Sequence, residues 1–267
     1  MKIYLHNTRN SILAATLAAA FCALPQISFA AADEGSPAIV SIDNSATSDA
    51  AAKLNAKRYS NVKVSVNNGI ATLAGSVELY EYKADAEKRI HKAKGVTAVR
   101  NQIAVAGPNV SDQQLQAKLQ EKLAWDRVGY GNIFNSISVS IQNGAATLGG
   151  HARTDVDKDS AVVLVSTYPG VKDVIDKIEV DPTSIMDDHA RMAVARAIYG
   201  FAMLDKYSND PARPIRISVQ NGHVELFGTV DSQGDKDMAY LRANGVSGVF
   251  SVSNFLQVAN QPTEQTK

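Results

Sequence analysis

The chain has 267 residues, 45% hydrophobic and 20% charged, with 27 basic and 27 acidic side chains. That balance excludes nucleic-acid binding through a broad basic surface, and the apolar content excludes a disordered chain. One cysteine, Cys22, excludes an internal disulfide and a cysteine-based zinc site.

Residues 1–30 read as a secretory signal peptide: a short basic start with Lys2 and Arg9, an apolar run over 11–24, and the small-residue pattern Ser28-Phe29-Ala30. The alternative is an uncleaved N-terminal anchor. Cleavage after Ala30 would remove Lys2, Arg9 and Cys22, leaving a slightly acidic chain without a thiol. No later run is long and apolar enough for a membrane span. Residues 31–47 read as a flexible tether, followed by a short helix from about Asp49 to Lys57.

From there the sequence repeats. Segments 64–105, 139–180 and 217–258 align without a gap. Each opens on alternating apolar residues, such as Val64 and Val66, which predict a strand. Asn68-Gly69, Asn143-Gly144 and Asn221-Gly222 then predict tight hairpin turns, because both residue types tolerate positive φ. A second strand carries Leu73, Leu148 or Leu226 inward. It ends near Gly75, Gly150 or Gly228, where a close backbone approach or bend is expected.

A helix follows, with Leu79, Tyr82, Ala86, Ile90 and Ala93 on one face in the first copy. Ala86, Ala161 and Ala239 are equivalent, and their size predicts a helix seated close to the sheet. Gly95, Gly170 and Gly248 open the closing strand of each copy. A leading helix is also predicted in the later copies. Ser111 with Gln114 reads as a capping box ahead of Leu115, Leu119 and Leu123, and 189–199 carries Met192, Ala195 and Tyr199. The boundaries expected are 48–107, 108–182 and 183–259, with a polar tail over 260–267.

The α-β-β-α-β order, the stretch Val-x-Val-x-Asn-Gly-x-x-x-Leu-x-Gly and the closing Gly-Val-x-x-Val strand resemble the BON domain family over about residues 48–259. The resemblance implies an α+β fold of three tandem domains, each a small mixed sheet with two helices on one face. It also implies a periplasmic protein with affinity for phospholipid and a role in envelope integrity under osmotic or other stress, without catalysis or a cofactor. Such proteins mostly carry two copies, and the short first helix makes copy one depart from the pattern.

Two groups are candidates for the lipid contact. The segment between the first helix and first strand of copy two holds Trp125, Arg127, Tyr130 and Phe134, and amphipathic aromatics beside a cation suit a membrane interface. The alternative is that Trp125 and Phe134 cap a core or pack between domains. The corresponding segment of copy three, from Tyr199 to Arg216, is a second such loop or a docking arm against copy two. Lys88, Arg89 and Lys92 lie in a cationic run that suits anionic headgroups, or that complements a helix C-terminus on a solvated face.

Enzymatic constellations are weak. Asp187-Asp188-His189 offers metal-ligand atoms but reads better as N-terminal helix charge. His151 with Asp155 and Ser160 lacks an oxyanion hole or nucleophile elbow. No catalytic residue, metal or cofactor is assigned. The partners expected are a phospholipid membrane surface and, as the alternative function of an adaptor or chaperone-like stress protein, other envelope proteins, but not nucleic acid.

Overall fold

The computed structural model describes residues 37–125, 131–182, 184–211 and 213–259. The expected signal peptide, the tail from 260 on, and Arg127 and Tyr130 lie outside the described residues. The first domain runs α1 (Pro37–Lys53), β1 (Val62–Asn67), β2 (Ile70–Val77), α2 (Tyr80–Ile90) and β3 (Ala98–Val105). The second runs α3 (Asp112–Trp125), β4 (Ser136–Gln142), β5 (Ala145–Ala152), α4 (Asp155–Ser166) and β6 (Asp173–Val180). The third runs α5 (Ile185–Tyr199), β7 (Arg216–Gln220), β8 (His223–Phe227), β9 (Thr229–Val230), α6 (Gln233–Asn244), β10 (Ser251–Asn254) and β11 (Gln257–Val258).

In every domain the first two strands form an antiparallel hairpin. The third strand returns through a helical crossover to pair parallel with the second, as a crossover must. The sheets are therefore mixed, with the second strand central. Ala86, Ala161 and Ala239 are fully buried where the crossover helix meets its sheet.

The three Asn-Gly turns have positive φ at both residues, the backbone whose twist matches that of the flanking strands. The sequence does not announce what holds them. The backbone N–H groups of Asn68 and Gly69 donate to the Asp43 carboxylate, those of Asn143 and Gly144 to Asp112, and those of Asn221 and Gly222 to Asp187. One carboxylate of each leading helix thus clamps the hairpin that follows.

Gly75, Gly150 and Gly228 occupy one register position and also have positive φ. A Cβ there would lie 1.9, 2.0 and 2.6 Å from the carbonyl oxygens of Asn61, Ser136 and Pro214, so the opposing backbone occupies that space. This is the close approach expected.

The first helix corrects the sequence reading. α1 spans 17 residues from Pro37, so 37–47 is helix rather than tether, and copy one is not short of an element. Ala46 and Ala50 within it and Leu54 just past its end are buried four residues apart. Asp49, expected near the helix start, lies inside it and accepts from Lys94 N–H in the turn after α2. The third leading helix also starts earlier than expected, at Ile185. Its inward face carries Ala190, Arg191, Val194, Ala195 and Ile198, while Met192, expected inside, is 43% exposed.

The domains lean on one another. Tyr80 at the start of α2 packs against the core of the second domain. Phe134 of the second domain, with Ile133, packs into the core of the third. Phe134 occupies the position held in copy one by Tyr59, which stays in the core of its own domain.

A buried polar network closes the same junction. Arg191 donates to the Asp181 carboxylate at 3.1 Å and to the Val219 carbonyl, and Ser218 and Gln220 also donate to Asp181. The His151 ring stacks on Phe227 beside it.

Candidate lipid-facing site

α2 places its cations at the surface. The buried face of that helix is set by Ala86 and Ile90, which turns Lys88, Arg89 and Lys92 outward in its last turn and just beyond it. The structure then adds residues from upstream. Lys53, at the end of α1, joins Lys88, Arg89 and Lys92 along a groove of about 500 Å³ floored by Ala52, Asn55 and Asp85. On the other side of the same ridge, Arg58, Lys88 and Arg89 border a cleft of about 560 Å³, opposite Val162 and Val163 of α4 in the second domain. Val163 is 54% exposed.

These cations are not equal. Asp85 accepts from both Arg58 and Arg89, at 2.9 and 2.8 Å, and also takes the Tyr59 hydroxyl. Both guanidinium groups lie over the Tyr59 ring, at 5.1 and 5.9 Å. Arg58 and Arg89 are therefore fixed parts of the first domain. Lys88 and Lys92 make no ion pair or hydrogen bond among the described residues and are exposed. Of the three cations expected in the site, Lys88 and Lys92 retain an uncompensated charge to offer a ligand.

Burial works to raise the Asp85 carboxyl, but the hydrogen bonds from Tyr59 and Arg89 and the charges of Arg89 and Arg58 outweigh it, holding the group below the ordinary carboxylate value. A depressed folded-state value stabilises the fold above the unfolded value of about 3.9, and that stabilisation is lost as pH falls through the folded value. The unfolding midpoint of the native chain is thus expected to fall more steeply below about pH 4 than that of Asp85→Asn. Denaturant titrations at several acid pH values check this. Parallel curves would show that Asp85 contributes nothing to acid sensitivity.

The aromatic group divides. Trp125 ends α3 and is 53% exposed, whereas Phe134 is 8% exposed and belongs to the core of the third domain, with the Arg153 guanidinium 5.7 Å from its ring. Phe134 therefore does not join Trp125 as an exposed pair. The loop of copy three likewise packs inward: Leu204, Tyr207 and Ile215 are buried in their own domain. Tyr207 donates to Asp235, echoing Tyr59 and Asp85.

The Asp187-Asp188-His189 group is dispersed into structural work. Asp187 clamps the turn, Asp188 pairs with Arg191 and Arg153, and His189 points into solvent. Among the described residues no three His, Cys, Asp or Glu side chains are grouped to hold a metal ion, and no helix is long and apolar enough to cross a membrane.

Of the residues lining these two grooves, sequence reasoning named Lys88, Arg89 and Lys92 but not Lys53, Arg58 or the valines of α4. The Lys57-Arg58-Tyr59 tripeptide was the available signal for Arg58. Nothing local marks Val162 and Val163 as the opposite wall, because the cleft forms only when two domains dock.

Comparison with known proteins agrees with the repeat. Residues 42–107, 111–182 and 201–260 match the BON domain. The third match begins after α5, although α5 supplies the Asp187 clamp in the same way as the leading helices of the other copies. Osmotically-inducible protein Y of Escherichia coli (strain K12) is 30% identical over 163 residues, covering 57% of this chain and 74% of its own. Among solved structures, CdsD, a structural protein of the type III secretion system of Chlamydia trachomatis, is 15% identical with a TM-score of 0.24, covering 79% of this chain and 90% of its own. The periplasmic domain of the inner-membrane protein PrgH from S. typhimurium is 8% identical with a TM-score of 0.18, covering 78% and 97%. Likeness at those scores says nothing about activity.

Proposed function

Because the chain belongs to the BON domain family, with three copies of the domain, we propose that it is a non-enzymatic periplasmic protein. On this reading it associates with phospholipid membrane surfaces and supports the cell envelope under osmotic stress. The signal-like character of residues 1–30 supports export, and the name of the E. coli relative supports the osmotic setting.

The observation that carries the membrane contact is the α2 ridge. Its unpaired Lys88 borders a cleft whose far wall is Val162 and the exposed Val163 of α4, and unpaired Lys92 lines the adjoining groove. Cations beside apolar side chains match a lipid, whose anionic headgroup and acyl chains ask for both at once. Each cation near an anionic surface is worth about 1 kcal/mol, so a single ridge binds weakly and reversibly. Exposed Trp125 offers a second interfacial anchor on the next domain.

Co-sedimentation with vesicles containing phosphatidylglycerol tests this. Lys88→Glu with Lys92→Glu is expected to weaken binding by about tenfold or more at low salt, since each exchange replaces an attraction with a repulsion. Trp125→Ala is expected to have a smaller effect that persists at higher salt. No binding by the native chain at any salt would overturn the proposal, and a larger loss in Trp125→Ala would move the contact to the end of α3.

A further inference from the structure

Three of the chain's four Asn-Gly dipeptides share one turn conformation and one register position. Asn-Gly is the pair most open to spontaneous deamidation, because no side chain on glycine hinders attack by its backbone nitrogen. In that reaction the glycine nitrogen gives up its proton to solvent base and bonds to Cγ of the asparagine. The Cγ–Nδ2 bond breaks and the side-chain nitrogen leaves as ammonia. Water then opens the cyclic imide at either carbonyl, leaving aspartate or isoaspartate.

In all three turns the attacking nitrogen is tied down. The turn must open before that nitrogen can reach Cγ, and opening breaks both N–H bonds to the clamping carboxylate. The reaction rate thus reports the free energy of local opening.

The clamps differ. At Gly69 the N–H reaches Asp43 at 3.3 Å and the residue is only half-buried. At Gly144 and Gly222 the N–H bonds to Asp112 and Asp187 are 2.9 and 2.8 Å, and both glycines are buried. The Lys172 side chain lies over Gly144, and the Phe250 ring over Gly222. Gly69 has only the smaller Thr97 side chain beside it. All three asparagine side chains are exposed, so access by water does not separate them.

We propose that Asn68 is the labile site of spontaneous deamidation among the three turns, and that the Asp43, Asp112 and Asp187 clamps set the order. The product places a new carboxylate against that of Asp43. The repulsion releases the β1–β2 turn from α1, so that deamidation at one residue loosens the first domain while leaving the other two intact.

The full chain is incubated in mildly alkaline buffer and digested, and each Asn-Gly peptide is followed by mass spectrometry with isoaspartate detection. Asn68 is expected to react about tenfold faster than Asn221 in the folded chain, and the three turn sites at similar rates in denaturant. Equal rates in the folded chain, or a faster reaction at Asn143 or Asn221, would overturn the proposal. Asp43→Ala is expected to accelerate Asn68 several-fold without moving Asn143, and an unchanged Asn68 rate would remove the clamp as the cause. The comparison of native sites stands even where that variant fails to fold. A fourth pair, Asn244-Gly245, closes α6 in helical backbone, with Gly245 N–H bonded to Leu241, and is outside this series.

Discussion

Asp181→Ala will cost the chain about 3–5 kcal/mol of stability at the junction of its second and third domains, because it strands a buried guanidinium. Arg191 is 3% exposed, and its Nε already has no partner. Asp181 is its buried counter-charge and also accepts from Ser218 and Gln220. Removing the carboxylate leaves a cation and two polar side chains facing a void. The remaining charged partner, Asp188, is 41% exposed, and it and the Val219 carbonyl cannot replace a buried counter-charge. Guanidinium unfolding of the full chain measures the loss. Replacing both members, as Asp181→Leu with Arg191→Met, is expected to recover most of it, since a well-packed apolar pair often equals a buried ion pair. By contrast Arg153→Ala, at an exposed pair with Asp188, should cost below about 1 kcal/mol through that pair. Similar losses in Asp181→Ala and Arg153→Ala would mean that the buried network contributes no more than a surface contact.

Gly150→Ala is expected to abolish folding of the second domain's hairpin. The new Cβ would sit 2.0 Å from the Ser136 carbonyl oxygen, in a backbone with φ of +93°. Neither atom can yield without parting β4 from β5, so the cost is about 3 kcal/mol or more. Gly248→Ala is the control. Its φ is +88°, but nothing lies within 4 Å of a Cβ there, so only backbone strain of about 1–2 kcal/mol is expected. Thermal unfolding followed by circular dichroism separates the two. A Gly150→Ala shift as small as that of Gly248→Ala would show that the opposing strand relaxes at little cost.

The hairpins were legible because Asn-Gly turns and period-two apolar residues are local codes, read within a dozen residues. The equivalence of Ala86, Ala161 and Ala239 was legible because a crossover helix over a small sheet repeats one spacing. α1 was not read to its full length. Its inward residues are Ala46 and Ala50, too small to mark an apolar face, and the surrounding serines and aspartates read as a solvated linker. Arg191 reads as surface in any window of sequence, since only Asp181, ten residues upstream, and the Val219 carbonyl make its burial tolerable. The basic ridge was half legible. A run of cations is visible in sequence, but its neutralisation by Asp85 at Arg58 and Arg89 depends on side-chain geometry.

Phe134 carries a consequence for the order in which the chain assembles. Because it belongs to the third domain's core, whose members run on to Leu256, that core is not complete until nearly the whole chain is available. A chain delivered from its N-terminus can complete the first domain around Tyr59 at once, but must hold Phe134 exposed until some 120 later residues have arrived. The second domain is therefore the stage at which an unfinished chain presents a bare aromatic ring, and the third is the stage that withdraws it.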